Sequence, residues 1–206
     1  MRTMRTLYLS PRTTILSLAL ILLACTSCGP GQPAHQTAQP LLSPRFSQPV
    51  RLQVPSLGID ATILPVGEDR YGAMEAPGAG HPASDPIWGK AFWWKLGVQP
   101  GQQGNAVIAG HVDRNDGSRA AFWNLRDIQQ GAQIIITEQG GQKYTFQVAS
   151  VEAVDNPTGG PNDPVIQRIF GPAATAHLNL ITCGGDWIGT EYNQRLVVFS
   201  TLVAGT

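Results

Sequence analysis

From Val50 onward the apolar residues fall into short runs broken by glycine and proline, and no other feature limits the possible folds as much. Seven runs read as strands: Val50–Val54, Ala61–Val66, Asn105–Val112, Ala132–Glu138, Gln142–Val154, His177–Cys183 and Gln194–Val203. Gln139-Gly140-Gly141 reads as a hairpin turn between two of them. Helical patches are confined to Ala120–Ile128, which carries Phe122, Trp123 and Leu125, and to Asp163–Phe170, which stops at Gly171-Pro172. Seven strands with so little helix indicate a compact all-β barrel or sandwich and exclude a doubly wound sheet. The 206-residue chain has 42% hydrophobic residues, enough for one domain with its own core.

The N-terminus has a different character. Arg2, Arg5 and Arg12 form a positive region ahead of an apolar run from Ile15 to Ala24. That run falls well short of the roughly 20 residues a membrane-spanning helix needs, so residues 1–25 read as an export signal. Leu22-Leu23-Ala24-Cys25 is similar to a bacterial lipobox, in which Cys25 would become the lipidated first residue. Leu23 stands where a smaller residue is usual. An ordinary signal peptide, an uncleaved anchor or a Cys25–Cys28 disulfide stay open. Residues 26–49, rich in Pro, Gln and Ser with Arg45 as their one charge, read as an extended tether. The folded domain occupies 50–206. These readings place the protein outside the cytoplasm, held at the membrane by its N-terminus.

Charge excludes one class of partner. The 14 basic and 14 acidic residues balance overall, but from Val50 there are 10 basic against 14 acidic. A domain with net negative charge and no basic stripe is no nucleic-acid binder. GxSxG, Walker and GxGxxG motifs are all absent, so serine-hydrolase, NTPase and dinucleotide chemistry lack support.

The chemistry concentrates in Leu180-Ile181-Thr182-Cys183-Gly184-Gly185 and Tyr192-Asn193-Gln194-Arg195-Leu196-Val197-Val198. If these two apolar runs pair antiparallel, Cys183 ends one strand, Arg195 opens the next, and thiol and guanidinium stand together at the rim of the sheet. A permanent cation there stabilises a thiolate or the oxyanion of a tetrahedral intermediate. Ala106-Val107-Ile108-Ala109-Gly110-His111 is an apolar strand ending in a histidine, a base for the thiol and later an acid for a leaving amine. Cys183 alone reads as a small core residue, His111 alone as a structural histidine and Arg195 alone as a surface ion pair. Together they make a candidate catalytic set.

Leu180-Ile181-Thr182-Cys183 with Arg195 twelve residues on and an upstream Ala109-Gly110-His111 resembles the sortases, cell-surface cysteine transpeptidases. Residues 50 to 203 carry the resemblance, beginning with Val54-Pro55-Ser56-Leu57-Gly58-Ile59-Asp60-Ala61. Ala106–Asp113, Phe122-Trp123-Asn124-Leu125 and Gly131-Ala132 are most similar to the class F, actinobacterial-type branch. The resemblance implies an eight-stranded β-barrel with a few short helices. It implies Cys183 as nucleophile, His111 as acid and base, and Arg195 at the oxyanion, without metal or cofactor. It also implies an LPxTG-type sorting signal cut between Thr and Gly through a thioester on Cys183, and acyl transfer to a cell-wall or pilin amine or to water. Thr182 and Asp113 are the candidate substrate contacts, and a monomer is expected. Asn179 departs from the family, standing where many members carry Thr.

Several residues keep two readings. Trp88, Phe92, Trp93 and Trp94 either wall an acyl groove or cap the core beneath a long loop. Asp113 either orients His111 or opens the turn through Arg114-Asn115-Asp116-Gly117. His81 with His111 and Asp113 makes a poor metal set, lacking helical spacing and any CxxC pair. His177 reads as structural. By the resemblance, loop 156–171 flanks the substrate groove. Two other functions compete: an L,D-type wall transpeptidase, from which Thr182 before the cysteine and the distant Arg195 depart, and a tethered, non-catalytic peptide-binding lipoprotein.

Overall fold

The computed structural model describes residues 46–78, 80–156 and 160–206. The export signal, Cys25 and most of the tether lie outside the described residues. The eight strands are β1 (Pro49–Val54), β2 (Ile59–Val66), β3 (Ala91–Trp94), β4 (Gly104–Gly110), β5 (Gln133–Glu138), β6 (Lys143–Asp155), β7 (Ala176–Trp187) and β8 (Tyr192–Gly205). They close into a barrel in the order β1-β2-β3-β4-β7-β8-β6-β5. β2/β3 and β4/β7 pair in parallel; the other neighbours are antiparallel.

Alternation along the strands builds two apolar layers. Leu52, Val54, Ile108, Ile134, Ile136, Phe146, Leu178 and Leu180 fill the barrel, closed at one end by Phe122, Leu125 and Ile128. On the outer face Val107, Val197 and Ile181 meet Ile169 and Phe170 of a single short helix, α1 (Pro164–Phe170). The Asp163 side chain caps α1 by accepting from the Val165 amide at 2.8 Å, and Pro164 pre-sets its first turn. Asn179, on the outer face of β7, donates from Nδ2 to the Ile169 carbonyl at 2.8 Å and to Asn105 Oδ1 at 3.1 Å. Asn179 thus fastens α1 to the sheet.

The structure differs from the sequence reading at four places. Ala91-Phe92-Trp93-Trp94 is a strand, with Phe92 and Trp93 buried, so these aromatics form barrel wall rather than capping a loop. Ala120–Ile128 holds only a 3-10 turn, Trp123–Asp127. β4 stops at Gly110, leaving His111 beyond its end; the Phe122 ring lies 2.7 Å from where a Gly110 Cβ would stand, so only glycine passes there. Ordered packing also begins before residue 50. Phe46 stacks on Tyr144, and Ser47 donates from its amide and hydroxyl to the buried Glu138 carboxylate. Among the described residues no helix is long and apolar enough to cross a membrane.

Candidate active site

β7 and β8 place Cys183 directly opposite Arg195 in the antiparallel register, so both side chains leave the same face of the sheet. Pairing continues past the cysteine to Trp187 and Tyr192, so Cys183 lies within the ladder instead of ending its strand. The parallel β4/β7 register runs to Ala109 opposite Ile181. Thr182 extends it by donating its hydroxyl to the Gly110 carbonyl at 2.8 Å, which brings His111 level with Cys183. All three residues line one cleft of about 530 Å³, with Met74, Ile169 and Ile181 among its apolar walls. Thr182 is only 4% exposed, and its hydroxyl is committed within the barrel wall.

His111 and Arg195 are each held from behind. The His111 ring lies 4.8 Å from Trp88 and 5.5 Å from Phe92, centroid to centroid. Its Nε2 is 2.8 Å from the Pro77 carbonyl. A carbonyl can only accept, so Nε2 carries hydrogen and, in the neutral ring, Nδ1 keeps the lone pair. Arg195 donates from Nη1 to the Tyr192 and Gln194 carbonyls at 3.1 and 3.0 Å, and its Nη2 lies 3.5 Å from Glu191 Oε2. Backbone anchors of this kind fix the guanidinium plane without neutralising it.

Cys183 is a partly buried free thiol. Burial pushes its pKa up; Arg195 pulls it down, and the Asp113 and Glu191 carboxylates push it up further. The net direction is upward, so the thiol form dominates at neutral pH. The orienting role considered for Asp113 goes elsewhere: its Oδ2 accepts from the Tyr192 hydroxyl at 2.5 Å. That bond is the main reason the phenol is pushed up to about 12. His81 pairs with Asp85 at 2.8 Å and His177 with the Thr175 hydroxyl at 2.9 Å, so neither joins the cleft. Among the described residues no group of three metal-ligating side chains converges.

Sequence reasoning missed Tyr192, Pro77 and Glu191. Tyr192 stands three residues before Arg195 with no motif to mark it. Pro77 acts through its backbone carbonyl, which no side-chain pattern reveals.

A β-barrel that sets a free thiol across from an anchored guanidinium, with an imidazole level with both, defines a cysteine-dependent acyl-transfer enzyme. The sortase domain family matches residues 52–203. The chain belongs to the sortase family, whose members are cysteine transpeptidases of the cell surface that join sorting-signal substrates to amine acceptors. Among solved structures it is similar to sortase A of Listeria monocytogenes, at 20% identity and a TM-score of 0.52 over 76% of this chain and 87% of that one. Sortase A of Corynebacterium diphtheriae gives 21% and 0.52, over 78% of this chain and 63% of that one. Sortase C1 of Streptococcus agalactiae, in complex with MTSET, gives 18% and 0.54 over 75% and 68%. At such identities the likeness is one of fold. No curated protein matches the chain.

Proposed function

We propose that this protein cleaves an LPxTG-type sorting signal between Thr and Gly and holds the acyl half as a thioester on Cys183. The convergence of Cys183, His111 and Arg195 on one apolar cleft carries the reading. His111 Nδ1 takes the thiol proton, and Cys183 Sγ attacks the scissile carbonyl carbon. Arg195, on the same face as the sulfur, stabilises the oxyanion. Collapse breaks the C–N bond, and the imidazolium returns its proton to the leaving amine. Because the thiol's pKa is raised, the thiolate–imidazolium pair is a minor population of the resting enzyme.

A second amine, or water, then attacks the thioester and releases Cys183. The apolar walls given by Met74, Ile169 and Ile181 suit the leucine and proline of such a signal. Thr182 acts by aligning β7 with β4 and so positions the nucleophile, and it lines the cleft beside Cys183. The Ala106–Asp113 and Phe122–Leu125 runs support placement nearest the class F branch. The basic and apolar N-terminus supports export and attachment to the outer face of the membrane, by Cys25 lipid or signal anchor, and we read the catalytic domain as a monomer.

Mass spectrometry of the protein with an LPxTG-type peptide, with and without added amine, tests this. The expected result is an acyl adduct on Cys183, cleavage after Thr and an amine-dependent ligated product. Absence of cleavage, together with alkylation of Cys183 at the rate of an ordinary thiol, would leave a non-catalytic binding domain instead.

A further inference from the structure

A second cavity of about 200 Å³ reaches Cys183. It shares only Thr182 and Cys183 with the larger cleft. Its walls are Val112, Trp123, Arg126 and Tyr192, and Gly184 and Gly185 leave one side bare of side chains. The smaller cavity is also mainly apolar, with Phe122, Ala153 and Leu196 completing its walls, and one cation, Arg126, stands on its rim.

That rim is unusual for this domain, which is net negative from Val50 onward. The Arg126 guanidinium lies 4.2 Å from the Trp123 ring centroid; Arg119 lies 5.5 Å from the same ring but lines a separate cavity. Stacking occupies the faces of these guanidinium groups and leaves their N–H edges free to donate. Among the described residues, none of the ion pairs involves either arginine. Arg126 is close enough to Tyr192, across the cavity, for its charge to act on the phenol.

Resting on the transpeptidase reading above, we propose that this smaller cavity admits the acyl acceptor, and that the acceptor is a primary amine carrying a carboxylate held by Arg126. With the acyl chain in the larger cleft, the amine approaches the thioester carbonyl through the smaller cavity. Its nitrogen bonds to the carbonyl carbon, the C–S bond breaks, and Cys183 leaves as thiolate. The proton lost by the attacking nitrogen passes to His111.

The test compares two acceptors that differ in one terminal charge, glycylglycine and glycylglycinamide, by following ligated product from the Cys183 thioester. The carboxylate acceptor should half-saturate at about three- to tenfold lower concentration, with the contrast shrinking as salt rises. Within Arg126→Gln the ratio of the two should fall towards one, and within Arg126→Glu it should invert. Equal half-saturation in the parent, or a preference surviving in Arg126→Gln, overturns the inference alone. Failure to form any thioester overturns the transpeptidase reading and this inference with it.

Discussion

Gly78 offers a sharp test of whether His111 works from the position in which it is held. Gly78 is buried, and a Cβ added there would lie 2.7 Å from His111 Nε2 and 3.0 and 3.1 Å from Trp88 Cζ3 and Cη2. Ordinary contact begins at 3.4 Å, so the shortfall at the imidazole is about 0.7 Å. Trp88 cannot yield easily: it is 5% exposed and its Nε1 donates to the Pro82 carbonyl at 2.9 Å. Phe92 backs the histidine ring, so either the ring shifts towards the cleft or the Pro77 carbonyl lifts away. Both outcomes stretch the 2.8 Å bond that sets the tautomer. Overpacking of this size costs about 1–3 kcal/mol of stability, and misplacing a catalytic group by about 1 Å costs on the order of 10²-fold in rate. Gly78→Ala should therefore fold with a melting temperature lower by several degrees, while single-turnover thioester formation on Cys183, read by intact mass, falls roughly a hundredfold. Gly89→Ala, where an added Cβ meets nothing within 4 Å, is the control and should stay within twofold of the parent. A Gly78→Ala protein that is folded and acylates at the parent rate refutes the positioning role of the Pro77 contact.

Tyr192→Phe should lower stability by about 1 kcal/mol at neutral pH, the worth of a partly exposed hydrogen bond to a carboxylate. Because the phenol's pKa is raised from 10 to about 12, its contribution is complete below pH 10 and disappears as pH rises towards 12; the stability gap between parent and variant, followed by denaturant titration, should close across that window. Iodoacetamide kinetics at Cys183 should separate its two neighbours: Asp113→Asn lowers the thiol's pKa and speeds alkylation near neutrality, Arg195→Gln raises it and slows the reaction, and shifts of one sign in both variants would contradict the charge assignment. Thr182→Val strands a buried carbonyl and should cost about 1–3 kcal/mol, whereas Thr182→Ser, keeping the bond to Gly110, should restore most of it in thermal melts.

The parts legible in the sequence are those with a local signature. Leu178, Leu180 and Thr182 alternate with Asn179, Ile181 and Cys183, so β7 and its two faces follow from the period of two. The glycines of 139–141 mark the β5/β6 hairpin, and Asp163-Pro164 marks the start of α1. β3 escaped because Ala91-Phe92-Trp93-Trp94 is short, uniformly apolar and enclosed by proline-rich loops, and it pairs in parallel with a strand reached only across a long connection. The site divides the same way. Cys183 and Arg195 are joined by one hairpin and can be matched on paper, whereas the Asp113–Tyr192 bond spans 79 positions and the Pro77–His111 contact uses a backbone atom. Side-chain patterns carry no trace of contacts made by distant loops.

The Thr182–Gly110 bond joins positions 72 apart, and the parallel seam it completes is the one that sets His111 beside Cys183. Closing so large a loop is entropically slow, and the seam gains its partners only after most of the polypeptide is present. A molecule in which that seam has not closed therefore carries only an unactivated thiol.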